Sequence, residues 1–219
     1  MLNIYIIVSI VLFAFIVYRG LTYSAGDEGE KAVARRLRRL STDRYFTIND
    51  LMFEKRSGFT TQIDHVVVSP YGIFVIETKN ISGYVYGAEF SKQWKRYWKG
   101  YMRGGHYGED EMTFDNPVLQ NGAHVKALYE LLNDYYPRFI PIIAFSPQAT
   151  LKVDVQGVDV IYWTEIKDVI KSYEEEVMSI EQAQEIYQLL LSKNITDKTI
   201  RREHAKRVER SRRYYMNKN

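Results

Sequence analysis

Between Ile63 and Lys79 the chain holds two apolar runs of strand type, Val66 to Val68 and Ile73 to Ile76, joined by the turn signal Ser69-Pro70-Tyr71-Gly72. Asp64 stands at the open end of the first run, and Glu77 and Lys79 stand at the open end of the second. A four-residue loop from Ser69 to Gly72 sets Val68 opposite Ile73, and continuing the antiparallel ladder sets Asp64 opposite Glu77. Opposed residues lie about 4.5–5.5 Å apart at Cβ, so two carboxylates there oppose folding unless a cation or a proton lies between them. Side chains alternate along a strand, and Lys79 therefore projects to the same side as Glu77. A slip of one residue would move the acids to opposite faces, so register decides whether Asp64, Glu77 and Lys79 form one group.

Such a group has the chemistry of metal-dependent phosphodiester hydrolysis. Hard carboxylate ligands suit Mg²⁺ or Mn²⁺, which polarise a phosphoryl oxygen and acidify a bound water, and an ammonium orients that water or offsets charge on the phosphate. The plainer alternative is a hairpin whose acids flare into solvent and whose Lys79 makes a surface ion pair, contributing about 0–1 kcal/mol.

A chain of 219 residues accommodates one domain with a proper core plus appendages. Leu2 to Tyr18 is apolar apart from Asn3 and Ser9, and Arg19 follows. At ~1.5 Å per helical residue this run nearly matches the hydrocarbon thickness of a bilayer. The positive charge after the run and the poor cleavage sequence Tyr23-Ser24-Ala25 favour an uncleaved anchor over a signal peptide. Arg19 and the basic residues between Arg35 and Arg39 would keep the soluble part in the cytoplasm. The expected organisation is a transmembrane anchor over 1–22, a domain with its C-terminal extension over 23–195, and a basic tail over 196–219. The tail reads either as a solvated helix or as a contact for anionic lipid or nucleic-acid phosphates. With no cysteine, disulfides, zinc thiolates and thiol nucleophiles are excluded. The net charge of +3 gives no strong overall attraction for polyanions.

Asp27 is positioned to cap a helix running to about Leu40, with Val33, Leu37 and Leu40 on its buried stripe. Glu30 shares that inward stripe, either closing a capping box with Asp27 or delivering a further acid to the hairpin site. Tyr45 to Phe53 reads as a strand preceding the hairpin, and Gly83 to Tyr86 as a short continuation of it. Gln93, Trp94 and Lys95 open a segment of interleaved aromatic and basic residues, suited to a phosphate-lined groove with stacking surfaces or to an amphipathic cover on a sheet edge. The region from Gly100 to Asp115 reads as a long loop. Asn116-Pro117 begins a helix of about four turns ending before Pro137, on which Gln120 and His124 share a face toward substrate or metal ligands. A packed or surface role is the simpler reading of His124. Phe139 to Phe145 and Val158 to Tyr162 read as strands, and Thr164 to Tyr173 and Ile180 to Leu191 as helices. The expected class is α/β, a mixed sheet flanked by helices and preceded by one N-terminal transmembrane helix.

The residues Gly26-Asp27-Glu28-Gly29-Glu30, Ile63-Asp64-His65, Gly72 to Lys79, Gln93-Trp94, and Asn116-Pro117 with Gln120 and His124 together resemble the nuclease-related domain (NERD) family, a branch of the PD-(D/E)XK nuclease-like superfamily. The resemblance covers about residues 26–145 and implies a restriction-endonuclease-like fold. It also implies Asp64, Glu77 and Lys79 as catalytic residues, with Glu30 as the helix-borne acid. Asp64, Glu77 and Glu30 become the candidate ligands for Mg²⁺ or Mn²⁺, and Gln93, Trp94, Lys95, Gln120 and His124 the candidate substrate contacts. Ile63 stands where the superfamily label has proline, a departure that leaves the metal chemistry intact. The expected protein is a membrane-anchored, metal-dependent nuclease acting on nucleic acid, with DNA favoured. The competing expectations are a tethered nuclease-like binding module and a structural membrane protein whose ionised trio pairs internally, since a fold does not by itself establish activity.

Overall fold

A computed structural model describes residues 25–101 and 107–216. The expected anchor, Leu2 to Tyr18, lies outside the described residues, among which no helix is long and apolar enough to cross a membrane.

The described residues open with helix α1 (Ala25–Leu37), followed by the antiparallel meander β1 (Phe46–Glu54), β2 (Thr60–Ser69) and β3 (Gly72–Lys79). Further along come β7 (Phe139–Phe145) and β9 (Asp159–Tyr162), which join β3 in parallel and complete a five-stranded sheet of order β1-β2-β3-β7-β9. Helix α2 (Pro117–Leu131) lies on the connection from β3 to β7, as a parallel pair requires.

Both faces of this sheet are covered, and the sequence of β3 shows why. Gly72 to Thr78 is buried at every position, and Ile73 to Ile76 within it is a continuous apolar run of the kind that central strands under two layers carry. Val66, Val68, Ile73 and Val75 face Leu128 of α2 and Ile186 and Leu190 of helix α4 (Ile180–Lys193). Val67, Phe74 and Ile76 face Val33 and Leu37 of α1 and Ile166 and Ile170 of helix α3 (Ile166–Lys171).

A second sheet corrects the reading of the middle of the chain. Strands β4 (Gly83–Ala88), β5 (Gln93–Tyr101), β6 (Tyr107–Asp115) and β8 (Ala149–Asp154) form a sheet of order β6-β5-β4-β8. Gly83 to Tyr86 thus belongs to this sheet rather than prolonging the first. The parallel pair β3/β7 bends into the parallel pair β4/β8, with Ser146 N–H donating to Lys79 O and Gly83 N–H to Gln148 O. Gly83 has φ 92° at the bend, and a Cβ there would stand 2.6 Å from Tyr97 O, so a side chain is excluded by both conformation and space. The expected loop over 100–115 is largely β6. Its side chains are mostly exposed, so apolar alternation is absent, and charge pairing across the hairpin takes its place: Lys95 with Glu111, Arg96 with Asp110, Lys99 with Glu109.

Asp27 lies within helix α1 (Ala25–Leu37) rather than at its cap. A last helix, α5 (Lys198–Met216), occupies most of the basic tail, with Asp197 Oδ1 accepting from Thr199 and Ile200 N–H at its start.

Candidate active site

The hairpin register is the one the sequence implies. Ser69 pairs with Gly72, Val68 with Ile73 and His65 with Ile76, which brings the next residues, Asp64 and Glu77, to the end of the ladder. There Asp64 Oδ2 accepts the backbone N–H of Thr78 at 2.8 Å. On its other side β2 changes character at the same point. Asn49 pairs with His65 and Leu51 with Ile63, but Asp50 between them has φ 59°. Ile63 and Val66 consequently enter the same core despite their odd spacing. Asp64 therefore sits where the inward-facing set of β2 switches parity.

Glu77 is only 3% exposed. Its Oε1 accepts from Lys79 Nζ at 2.5 Å, and Lys79 also donates to Gln120 Oε1 at 3.0 Å. His124 Nε2 stands 3.6 Å from Glu77 Oε2, too long for a hydrogen bond, while His124 Nδ1 is 3.0 Å from Thr61 Oγ1. Gln120 and His124, one turn apart on α2, thus reach the β3 end together. The helix is held for this by two asparagines. Asn116 Oδ1 accepts from Val118 N–H, while its Nδ2 donates to Ala88, Glu89 and Ser91 carbonyls; Asn121 Nδ2 donates to Val75 O at 2.8 Å and Ile142 O at 3.3 Å. Asn121 and Thr61 are site-building residues that the sequence reading passed over. Asn121 differs from any surface asparagine only in sharing its helix side with Pro117 and His124, and Thr61 has no local signature.

Glu30 approaches from α1, close enough for its charge to act on Asp64. The approach depends on Gly29, whose Cβ, if present, would stand 2.8 Å from Asn80 Cβ and 3.2 Å from Thr78 Cγ2. The expected contacts on β5 do not join this group. Trp94 is fully buried, stacked on Phe145 at 6.0 Å between ring centroids, with its Nε1–H donated to Ala88 O. It has no face for a nucleobase and is a core residue of the second sheet. Gln93 is half-buried on the same strand, and exposed Lys95 pairs with Glu111 at 2.9 Å.

The two central acids are driven apart electrostatically. Burial raises the Asp64 carboxyl well above the usual range, the charges of Glu77 and Glu30 add to that, and the Thr78 N–H and Lys79 only partly oppose it. Burial would raise Glu77 too, but Lys79 and then His124 outweigh it and hold Glu77 below the usual range. His65, buried beside them with Nδ1 2.7 Å from Asn49 Oδ1, is lowered by burial to about 4 and is neutral.

These residues fit a hard cation in a specific sense. Glu77 Oε2 is buried without a hydrogen-bond partner, and Asp64 carries unfavourable like charge from two neighbouring acids, both of which a cation would relieve. Among the described residues no three His, Asp or Glu side chains are grouped closely enough to hold a metal by themselves. A cation here would be held by at most one or two carboxylates, with water and phosphate oxygens taking its remaining positions.

The sequence model described as the nuclease-related domain, NERD, matches residues 25–146. An uncharacterised protein of Bacillus anthracis is 34% identical over 184 residues, which cover 83% of this chain and 82% of that protein. No solved structure matches the chain.

Proposed function

The chain belongs to the nuclease-related domain family, and on that premise we propose that it is a metal-dependent nuclease hydrolysing phosphodiester bonds in DNA, tethered to a membrane by Leu2 to Tyr18 with its domain in the cytoplasm. The observation that carries the proposal is the convergence of Asp64, Glu77 and Lys79 at one end of the hairpin, with Glu30 alongside. Asp64 and Glu77 would hold the ion, and Glu30, expected from the resemblance as a third ligand, would act through its charge from α1 instead. When bound, Mg²⁺ or Mn²⁺ would supply Lewis-acid polarisation of the phosphate and a more acidic water.

The chain's own residues have separable tasks. Lys79 holds an ammonium at the mouth of the acidic group, where it can donate to a water or to a phosphoryl oxygen, and Gln120 fixes its direction. Glu77 stays ionised because Lys79 and His124 compensate its burial. Thr78 N–H orients the Asp64 carboxylate, leaving Oδ1 for ligation. Asn116 and Asn121 position α2 and through it Gln120 and His124.

One observation favours a second reading, a tethered binding module without turnover: Lys79 already directs its charge at Glu77 and Gln120, so the trio is internally compensated. The two readings separate in one assay. The full chain is incubated with single- and double-stranded DNA and RNA in Mg²⁺, Mn²⁺ or chelator, beside Lys79→Ala. Cleavage that requires metal and Lys79 supports the enzyme. Binding without cleavage in any metal supports the module, and cleavage persisting in chelator excludes the mechanism.

A further inference from the structure

The positive charge of this protein is concentrated in one element. Helix α5 carries eight Arg and Lys against two Glu, whereas the whole chain has a net charge of only +3, so the remainder is net acidic. The family match ends at residue 146, well before this helix.

Helix α5 is docked beside the candidate site by one face. Arg201 donates to Asp50 Oδ2 at 2.7 Å and to Asp50 O at 2.9 Å, gripping β1 at the residue whose positive φ accompanies the switch beside Asp64. His204 Nδ1 lies 2.8 Å from Thr60 Oγ1, to which Arg207 also donates, and the Arg207 guanidinium sits 5.2 Å from the centre of the exposed Phe59 ring. Thr60 is followed by Thr61, the partner of His124, which faces Glu77. Two adjacent residues of β2 thus connect the docked helix to the acidic group.

The other face is unpartnered. Arg202, Lys206 and Arg210 recur every fourth residue, are exposed, and pair with no carboxylate among the described residues. They span about 12 Å of helix, the axial length of three to four phosphates on one strand of B-DNA.

We propose that the Arg202, Lys206 and Arg210 face of α5 is a docking track for the phosphodiester backbone of nucleic acid, holding the strand beside the Asp64, Glu77 and Lys79 group. The inference rests on the nucleic-acid reading above and deepens it. The need is electrostatic: an acidic metal site repels a polyanion, and a cation-rich element fixed next to it reverses the local field. Charge complementarity with Phe59 nearby favours nucleic acid over a lipid surface, because an exposed aromatic ring beside guanidinium groups offers a base a stacking surface.

The test measures binding rather than turnover. Anisotropy of labelled single- and double-stranded oligonucleotides is followed with the full chain in detergent and chelator, across a range of salt, for wild type and for R202Q/K206Q/R210Q. Since these side chains pair with no carboxylate among the described residues, thermal melting reports whether the variant is folded. The triple variant is expected to bind roughly 10- to 100-fold more weakly and to lower the slope of log K against log salt by roughly 2–3. The charge-conserving R202K/R210K is expected to keep the wild-type slope. An unchanged slope in the triple variant overturns the proposal. So does unchanged oligonucleotide binding with lost binding to phosphatidylglycerol vesicles, which would assign the track to lipid. Because chelator is present throughout, this result does not depend on turnover, and failure of the wild type to cleave in Mg²⁺ or Mn²⁺ would sink the enzyme reading while leaving it standing.

Discussion

The backbone N–H of Thr78 donates to Asp64 Oδ2 at 2.8 Å, so the acid at the end of one strand is held by the strand that carries the other acid. Asp64 is thereby fixed near Glu77 whatever the repulsion between them, and a proton or a cation must relieve it. Asp64 is raised by burial and by the neighbouring acids, so it favours the protonated form in the fold. Its contribution is fully favourable below the unfolded carboxyl value and is lost as pH rises through the raised folded value. Asp64→Asn keeps an oxygen for Thr78 and removes the charge. The variant is expected to melt roughly 2–4 °C higher than wild type in chelator at neutral pH, corresponding to about 1 kcal/mol. On the metal-site reading, added Mn²⁺ is expected to stabilise the wild type and not this variant. Calorimetry with and without metal measures both, and an unchanged or lower melting temperature in chelator would count against the strained-acid account.

Lys79 and Glu77 form a nearly buried pair, at 15% and 3% exposure. Truncating Lys79 leaves an uncompensated buried carboxylate, and Lys79→Ala should cost roughly 3 kcal/mol in denaturant unfolding. On the nuclease reading, cleavage should fall by roughly 10²–10³ at conditions where the variant is still folded, with metal binding retained. The double variant Lys79→Met with Glu77→Gln should recover most of the stability and none of the activity. Recovery of neither would mean that packing, rather than charge, sets the loss.

His65 predicts the acid limb of the stability profile. Its value is lowered to about 4 by burial, so its contribution is present above the ordinary histidine value of about 6.5 and is lost as pH falls toward 4. The full effect is on the order of 3 kcal/mol. Melting temperatures measured from pH 7 to 4 should fall steeply for the wild type and more shallowly for His65→Gln, which keeps a donor for Asn49.

Gly29→Ala tests the seat of α1. The added methyl meets Asn80 Cβ, Thr78 Cγ2 and Trp163 within 3.3 Å, so the helix must move away from the end of β3. A loss of roughly 1–3 kcal/mol is expected. Because Glu30 moves with the helix, Asp64 should ionise at lower pH in this variant, detectable in the pH dependence of Mn²⁺ binding. Equal metal affinity at every pH would separate Glu30 from the site.

The hairpin was legible because its two constraints are local: a turn with Gly72 and an apolar pattern that tolerates one register. From those the expected juxtaposition of Asp64, Glu77 and Lys79 follows, and the register His65 with Ile76 makes Asp64 and Glu77 the next residues along the two strands. The face of α2 carrying Gln120 and His124 was legible from helical spacing, as were β7, β9 and α4. Trp94 misled because a tryptophan among lysines and arginines has the same composition whether its ring faces a base or Phe145. The strand β6 was hidden because it is held by ion pairs across a hairpin, which leave no apolar period. Asn121 and Thr61 were hidden for another reason, since their partners Val75, Ile142 and His124 lie 46, 21 and 63 residues away.

The parallel pairing of β3 with β7 has a bearing on how such a protein is made. Lys79 is paired with Phe145, and its Gln120 partner arrives on the helix between them. A nascent chain that has emerged only as far as β4 can close the hairpin, but it has an open β3 edge, no α2, and two adjacent acids with little to balance them. The candidate site is therefore complete only once β7 has paired with β3 and α2 is in place. Amides of β3, β7 and α2 should gain protection against hydrogen exchange together, in one step. On the nuclease reading, an unfinished or truncated copy carries all three catalytic letters and is harmless to nucleic acid near the ribosome.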